Sequence, residues 1–229
     1  MKNNILIILI IFYQVIFLNN VFAKEIDFNA TDIEITDNQN LTIANNGTAT
    51  IKDDKIIIEG EKIKYFKDQS LIIVSQGKII KIDQNLEINS RIIEYNIDDG
   101  QINFVNEVKI EHKFNNLNIY SDNINYNIKK QIISSDGNSK IIDEYENIYT
   151  LDKFEYSIQN KFIKLFNTKI IDKDKNTFDL EIAYLDMNKK EIVAKDIGLN
   201  FKISENSENE PRLKGRSLIS DEKNTIVSK

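Results

Sequence analysis

The sequence predicts an all-β protein, a solenoid-like stack of antiparallel strands built from a repeat. Three observations predict it. First, one segment recurs. Ile58-Glu-Gly-Glu-Lys-Ile-Lys-Tyr65 has the shape apolar, x, small, x, x, apolar, x, Tyr. It returns as Ile88–Tyr95, Ile119–Tyr126 and Tyr149–Tyr156, where Leu151 replaces the small residue. A worn copy, Phe178-Asp-Leu-Glu-Ile-Ala-Tyr184, closes the series. The tyrosines at 65, 95, 126, 156 and 184 are therefore 30, 31, 30 and 28 residues apart. Second, a further half-motif starts 11 or 12 residues past each tyrosine: at Gly77, Asn106, Gly137, Asn167 and Asp196. Self-similarity at such a period marks stacked units that bury their apolar faces only against one another. Third, between Ile56 and Ile203 the apolar residues alternate with period two, which places them on one face of a strand.

In chain order, residues 1–23 read as a secretory leader. Lys2 supplies the positive start, Ile5 to Phe17 the apolar run, and Val21-Phe-Ala23 the small residues of a cleavage site after Ala23. The run is shorter than a bilayer span needs; an uncleaved anchor is the rival reading. The mature chain opens with alternating Asp32-Ile-Glu-Ile35 and Leu41-Thr-Ile43. Asn45-Asn-Gly47 carries the dipeptide of a tight hairpin turn, so a return strand is expected from Thr48. Then Ile63/Tyr65, Ile93/Tyr95/Ile97, Ile124/Tyr126/Ile128, Phe154/Tyr156/Ile158, Phe178/Leu180/Ile182/Tyr184 and Ile197/Leu199/Phe201/Ile203 each share a face.

Polar turns are expected at Asp53-Asp54, Lys67-Asp68, Asp98-Asp-Gly100, Lys129-Lys130, Gln159-Asn160, Asp172-Lys-Asp174 and Met187–Lys190. Short connections favour antiparallel neighbours and strands of ~5–8 residues. The single proline, Pro211, spares the ladder. Residues 24–203 thus form the repeat domain. Residues 204–229 read as a polar linker and a short tail.

Composition bounds the function. Of 229 residues, 41% are hydrophobic and 29% charged, in the soluble globular range. The net charge is −6, and losing Lys2 with the leader makes it −7, against nucleic acid as a partner. No cysteine is present, and His112 is the one histidine. In the context Glu111-His-Lys113 it is expected at the surface. Asp53-Asp54, Asp98-Asp99 and Asp172/Asp174 could pair for catalysis or bind calcium, but turns favour Asp for local hydrogen bonding. The sequence therefore points to a protein that is not an enzyme and carries no cofactor or metal.

The leader, the Ala30-Thr-Asp32 start with its following strands, and the train of I-x-[GS]-x-x-I-x-Y repeats over about residues 27–203 resemble the OstA-like N-terminal domain family, found in the lipopolysaccharide transport proteins LptA and LptD. The tail, Pro211-Arg-Leu-Lys-Gly-Arg-Ser217 with Ile219–Lys229, is similar to the segment that leads into the LptD barrel, so the chain looks closest to the periplasmic N-terminal part of LptD. The resemblance implies an open, V-shaped β-jelly roll whose apolar interior holds acyl chains. It also implies a periplasmic conduit in lipopolysaccharide transport to the outer membrane. Its partners would be the lipid A acyl chains of lipopolysaccharide, other Lpt jelly-roll proteins joined by strand addition, and an outer-membrane barrel with its lipoprotein.

The residues themselves lead nearby. A stacked sheet leaves two edges that invite strands. Ile33 and Ile35 at one end, Leu199 and Phe201 at the other, are the candidate edges. Ile63, Tyr65, Ile93, Tyr95, Ile124, Tyr126, Phe154 and Tyr156 are the candidate lining of a lipid groove. A structural or adhesive solenoid with a filled core is the alternative. A polysaccharide-degrading solenoid would need a column of carboxylates that the repeats do not show.

Overall fold

The computed structural model describes residues 24–200, 212–220 and 225–228. The leader and Phe201 lie outside the described residues. The strands are β1 (Ile26–Thr36), β2 (Leu41–Ile51), β3 (Ile56–Phe66), β4 (Leu71–Lys81), β5 (Leu86–Asn96), β6 (Gln101–His112), β7 (Leu117–Asn127) and β8 (Ile132–Ser135). They continue as β9 (Ser139–Ile142), β10 (Ile148–Leu151), β11 (Lys153–Ser157), β12 (Phe162–Ile171), β13 (Thr177–Asp186), β14 (Glu191–Asn200), β15 (Arg212–Ser220) and β16 (Thr225–Ser228). All belong to one antiparallel sheet in which sequence neighbours pair. β8 with β9, and β10 with β11, are two halves of single passes interrupted at mid-length.

Most strands are about twice the expected length, because each one bends. In β3 the buried residues are Ile56 and Ile58, then Ile63. A five-residue step should put Ile63 on the opposite face from Ile58. Both face inward because the strand turns a corner at Gly60-Glu61. The small residue of the repeat is this corner. A Cβ on Gly60 would stand 2.3 Å from Val74 Cγ1, and one on Gly77 2.5 Å from the Glu59 carbonyl oxygen. At the next corners Ser90 Oγ bonds the Val105 carbonyl at 2.8 Å, and Ser121 Oγ lies 2.9 Å from Ser135 Oγ.

The half-motifs that follow the tyrosines mark the corners of the alternate strands. Asn46, Gln76, Asn106, Glu107, Asn167 and Asp196 all have φ between 47° and 68°, a region that Asn and Asp tolerate better than most residues. This corrects the hairpin reading of Asn45-Asn-Gly47. That dipeptide bends β2 at mid-strand, and Thr48 to Ile51 continue the same strand.

The bends fold the sheet into two facing walls. The first wall ends in a lip of turns at residues 52–55, 82–85, 113–116 and 143–147. The second ends in a lip at 37–40, 67–70, 97–100, 128–131, 158–161 and 187–190. Each lip is stitched by backbone bonds between successive turns. Lys55 O accepts from Ile82 N at 3.1 Å, and Gly100 O from Ile128 N at 2.8 Å.

The core lies between the walls as cross-strand rows. One row runs Ala44, Ile63, Val74, Ile93, Phe104, Ile124; another runs Ala49, Ile58, Ile79, Ile88, Ile110, Ile119. All of these are 0–2% exposed.

The tail extends the sheet past the repeat domain, since Arg212–Ser220 pairs with β14 and Thr225–Ser228 pairs with β15. One further expectation is corrected by this. Leu199 is therefore no edge residue; it is paired with Phe178 on one side and Leu213 on the other, and is 2% exposed.

Candidate functional site: an apolar interior closed by tyrosines

Four of the repeat tyrosines, Tyr65, Tyr95, Tyr126 and Tyr156, stand at the second lip, one per two strands, on the inner face. Tyr95, Tyr126 and Tyr156 are fully buried. A buried phenol needs a partner for its hydroxyl, and each finds one across the open side on the first lip. Tyr95 donates to Asp54 Oδ2 at 2.5 Å, and Tyr126 to Gln84 Oε1 at 2.6 Å. The Tyr156 hydroxyl lies 2.7 Å from His112 Nδ1 and accepts from Asn115 Nδ2, also at 2.7 Å. Burial raises the pKa of all three phenols well above the ordinary tyrosine value. For Tyr95 the Asp54 carboxylate adds to the shift. They stay protonated donors at any physiological pH.

The three clasps span 41 or 42 residues each, so the walls are offset by more than one hairpin. That offset explains both ends. The residue 41 positions before Tyr65 is Lys24, which instead pairs with Asp54 at 2.7 Å. Tyr65 thus has no clasp partner; it is half-buried, with its ring 6.2 Å from Phe28. Ile33 and Ile35 lie on the inner face beside Ala44 and Thr42, yet are 43% and 61% exposed, because the offset leaves their half-strand without a facing wall.

At the other end the tyrosine ladder stops. The inward row runs Tyr156, Ile163, Leu185, so Leu185 stands where a tyrosine would clasp. The last repeat copy is one residue short, which corrects the expectation that Tyr184 shares a face with Leu180: Tyr184 faces outward, stacked on Phe162 at 5.6 Å. Past Tyr156 a cavity of about 640 Å³ separates the lips, lined among others by Phe114, Tyr145, Lys161, Leu185, Met187 and Ile192.

Of the groove candidates, Ile63, Ile93, Tyr95, Ile124, Tyr126, Phe154 and Tyr156 are brought together in this interior, each at most 1% exposed, and Tyr65 borders it. As it stands, the space between the walls is filled by these side chains.

His112 corrects the surface expectation. It is 3% exposed and on the inner face, between Leu86 and Leu117. Burial holds its pKa below the ordinary histidine value, with a smaller contribution from the nearby Lys161 ammonium; a backbone hydrogen bond with Gln84 opposes both. A folded-state pKa below the unfolded value makes neutral His112 stabilising. That contribution is complete above about pH 6.5 and is lost as the pH falls below it. Thermal unfolding between pH 7.5 and 5 should therefore show a steeper loss of Tm in the wild type than in His112→Gln. Equal slopes would refute this assignment.

The carboxylate pairs sit at turns. Asp54 serves Tyr95 and Lys24, and Asp172 accepts from Asn176 N and Nδ2 within its own turn, both at 2.8 Å. Among the described residues no three His, Asp or Glu side chains converge on a metal-sized site, and no helix is long and apolar enough to cross a membrane.

No protein-family model matches the chain, and no curated protein matches it. Among solved structures, the chain is similar to LptH, the LptA homologous periplasmic component of the lipopolysaccharide transport device from Pseudomonas aeruginosa. Identity is 13% over 61% of this chain and 80% of that chain, with a TM-score of 0.26.

Proposed function

We propose that the chain is a non-enzymatic periplasmic carrier in a lipopolysaccharide transport path. It would hold acyl chains between its two walls and join neighbouring jelly rolls through its free edges, β1 and β16. The carrying observation is the tyrosine-clasped interior: an apolar core packed between two walls whose opposing lips, on the side away from the strand bends, meet through side chains. A typical intramolecular hydrogen bond contributes ~0.5–1.5 kcal/mol net. Three clasps thus hold the lips with only a few kcal/mol. Each buried methylene of a lipid gains ~0.8 kcal/mol, so a multi-acyl lipid outweighs the clasps as the walls part. The sequence resemblance supports the same reading. The corrected edges also fit it, since among the described residues β1 and β16 each pair on one side only.

The test is photo-crosslinking in an exporting, lipopolysaccharide-producing cell. Benzoylphenylalanine at Phe104 or Tyr126 should yield lipid A adducts, while the same probe at outward-facing Asn103 should not. Adducts to protein alone from every inward site would end the carrier reading. One observation favours a second reading, the exported structural solenoid: the burial of Phe104, Tyr126 and Tyr156 is complete. The same experiment separates the two, because a permanently filled core gives no lipid adduct.

A further inference from the structure

We propose that the last clasp is an acid-operated latch: protonation of His112 releases Tyr156 and parts the lips at the open end of the ladder. The latch goes beyond the carrier reading and stands whether or not the interior takes up a lipid.

The cluster is arranged around an unprotonated Nδ1. The Tyr156 hydroxyl lies 2.7 Å from His112 Nδ1. Asn115 Nδ2, which can only donate, lies 2.7 Å from that hydroxyl and 3.2 Å from the same ring nitrogen. With Nδ1 bare, the hydroxyl accepts from Asn115 and donates to the ring. An added N–H there would point at an amide N–H and at a hydroxyl already accepting, and the clasp would lose its acceptor.

The surroundings resist the proton only while the lips are closed. The ring is buried between Leu86 and Leu117 on the neighbouring strands and hydrogen-bonds the Gln84 backbone. From the second lip, the Lys161 ammonium acts on it, and Met187 Sδ lies 4.0 Å from Asn115 Nδ2. Its sequence neighbours are engaged elsewhere, Glu111 with Lys109 at 2.5 Å and Lys113 with Glu87 at 3.9 Å. Two strands away on the inner row, Lys81 is paired with Asp83. Among the described residues no carboxylate pairs with the ring. Opened to water, the ring takes a proton at about pH 6.5; closed, burial and Lys161 hold it below that. Falling pH therefore shifts the balance to the open form.

A second contact between the lips fails with the first. Lys161 Nζ lies 4.3 Å from the centre of the Phe114 ring, two residues past His112. A charged His112 repels that ammonium, so the cation–π contact and the tyrosine clasp weaken together. The Tyr126 clasp uses the amide of Gln84, which does not titrate. Acid thus opens one end of the roll, where the cavity of about 640 Å³ already separates the lips.

The test is the distance between the lips as a function of pH, on the lipid-free chain. Spin labels at Lys113→Cys and Asn160→Cys, both exposed, flank the latch in a protein with no other cysteine. Pulsed electron-spin measurements should show a longer distance at pH 4.5 than at pH 7.5, with a midpoint below about pH 6.5. Labels at Ile82→Cys and Lys130→Cys, on the Tyr126 clasp, should keep theirs. His112→Gln, whose amide oxygen can still accept from Tyr156, should abolish the change. Lys161→Gln should move the midpoint to higher pH, because it removes both the repulsion and a contact between the lips.

An unchanged distance across this range would overturn the proposal. Equal lengthening at both label pairs would overturn it as well, since that is general acid expansion. So would a lengthening that survives His112→Gln. If His112→Gln misfolds, Lys161→Gln decides, and an unmoved midpoint refutes the latch.

Discussion

Replacing Phe104 by alanine should cost about 3–5 kcal/mol of folding stability. Phe104 is fully buried at mid-row, paired with Ile93 on one side and Ile124 on the other. Both neighbours are held by their own strands, so the walls cannot collapse onto the space it leaves. The adjacent Asn103 faces outward on the same strand, and Asn103→Ala should stay within about 0.5 kcal/mol. Urea unfolding of the pair checks this. A Phe104→Ala cost near that of Asn103→Ala would mean that the two walls do not form one packed core.

The second large effect concerns the lips. Tyr95→Phe, Tyr126→Phe and Tyr156→Phe together should lower stability by about 3 kcal/mol, taking about 1 kcal/mol for each lost hydrogen bond. The sum is expected to be near additive because successive clasps are two strands, about 9–10 Å, apart. The loss is local in character. Amide hydrogen exchange in the triple variant should accelerate at the lip amides of Ile82, Lys113 and Ile128, whose bonds stitch the turns. It should change little at the corners, where Ser90 and Ser121 tie neighbouring strands. Uniform acceleration along each strand would show that the tyrosines stabilise the roll as a whole rather than closing its open side.

The repeat was legible as a repeat, and its tyrosines as one structural row. The corner was legible too, but in a form that is easily overlooked. The step from Ile58 to Ile63, or from Ile88 to Ile93, reverses the parity of a flat strand, and only a bend restores it. Asn45-Asn-Gly47 misleads because the same left-handed residues that close a hairpin also turn a strand through a corner. Local sequence does not distinguish the two; the pairing partner Gly60 does.

The clasp partners left a signal that goes unread without knowledge of the fold. Asp54, Gln84 and Asn115 recur at 30 and 31 residues, in step with the tyrosines they meet. His112 hides in the same way. Its neighbours in sequence are charged, but Ile51, Lys81 and His112 keep the repeat spacing, and all three are buried. Buried Lys81 meets Asp83 at 2.5 Å. What no periodicity foretold is the offset between the walls, a long-range property of how the bent sheet twists. The offset decides that Tyr65 is half-buried, that Ile33 and Ile35 are exposed, and that the ladder has an open end.

The most direct test of carriage between the walls is the distance between the lips. The chain has no cysteine, so Ile82→Cys on the first lip and Lys130→Cys on the second give a unique pair for spin labelling. They flank the Tyr126–Gln84 clasp. Pulsed electron-spin distance measurements on the protein alone and with a multi-acyl anionic lipid should show a longer separation with lipid, as the walls part around the chains. An unchanged distance at saturating lipid would contradict it.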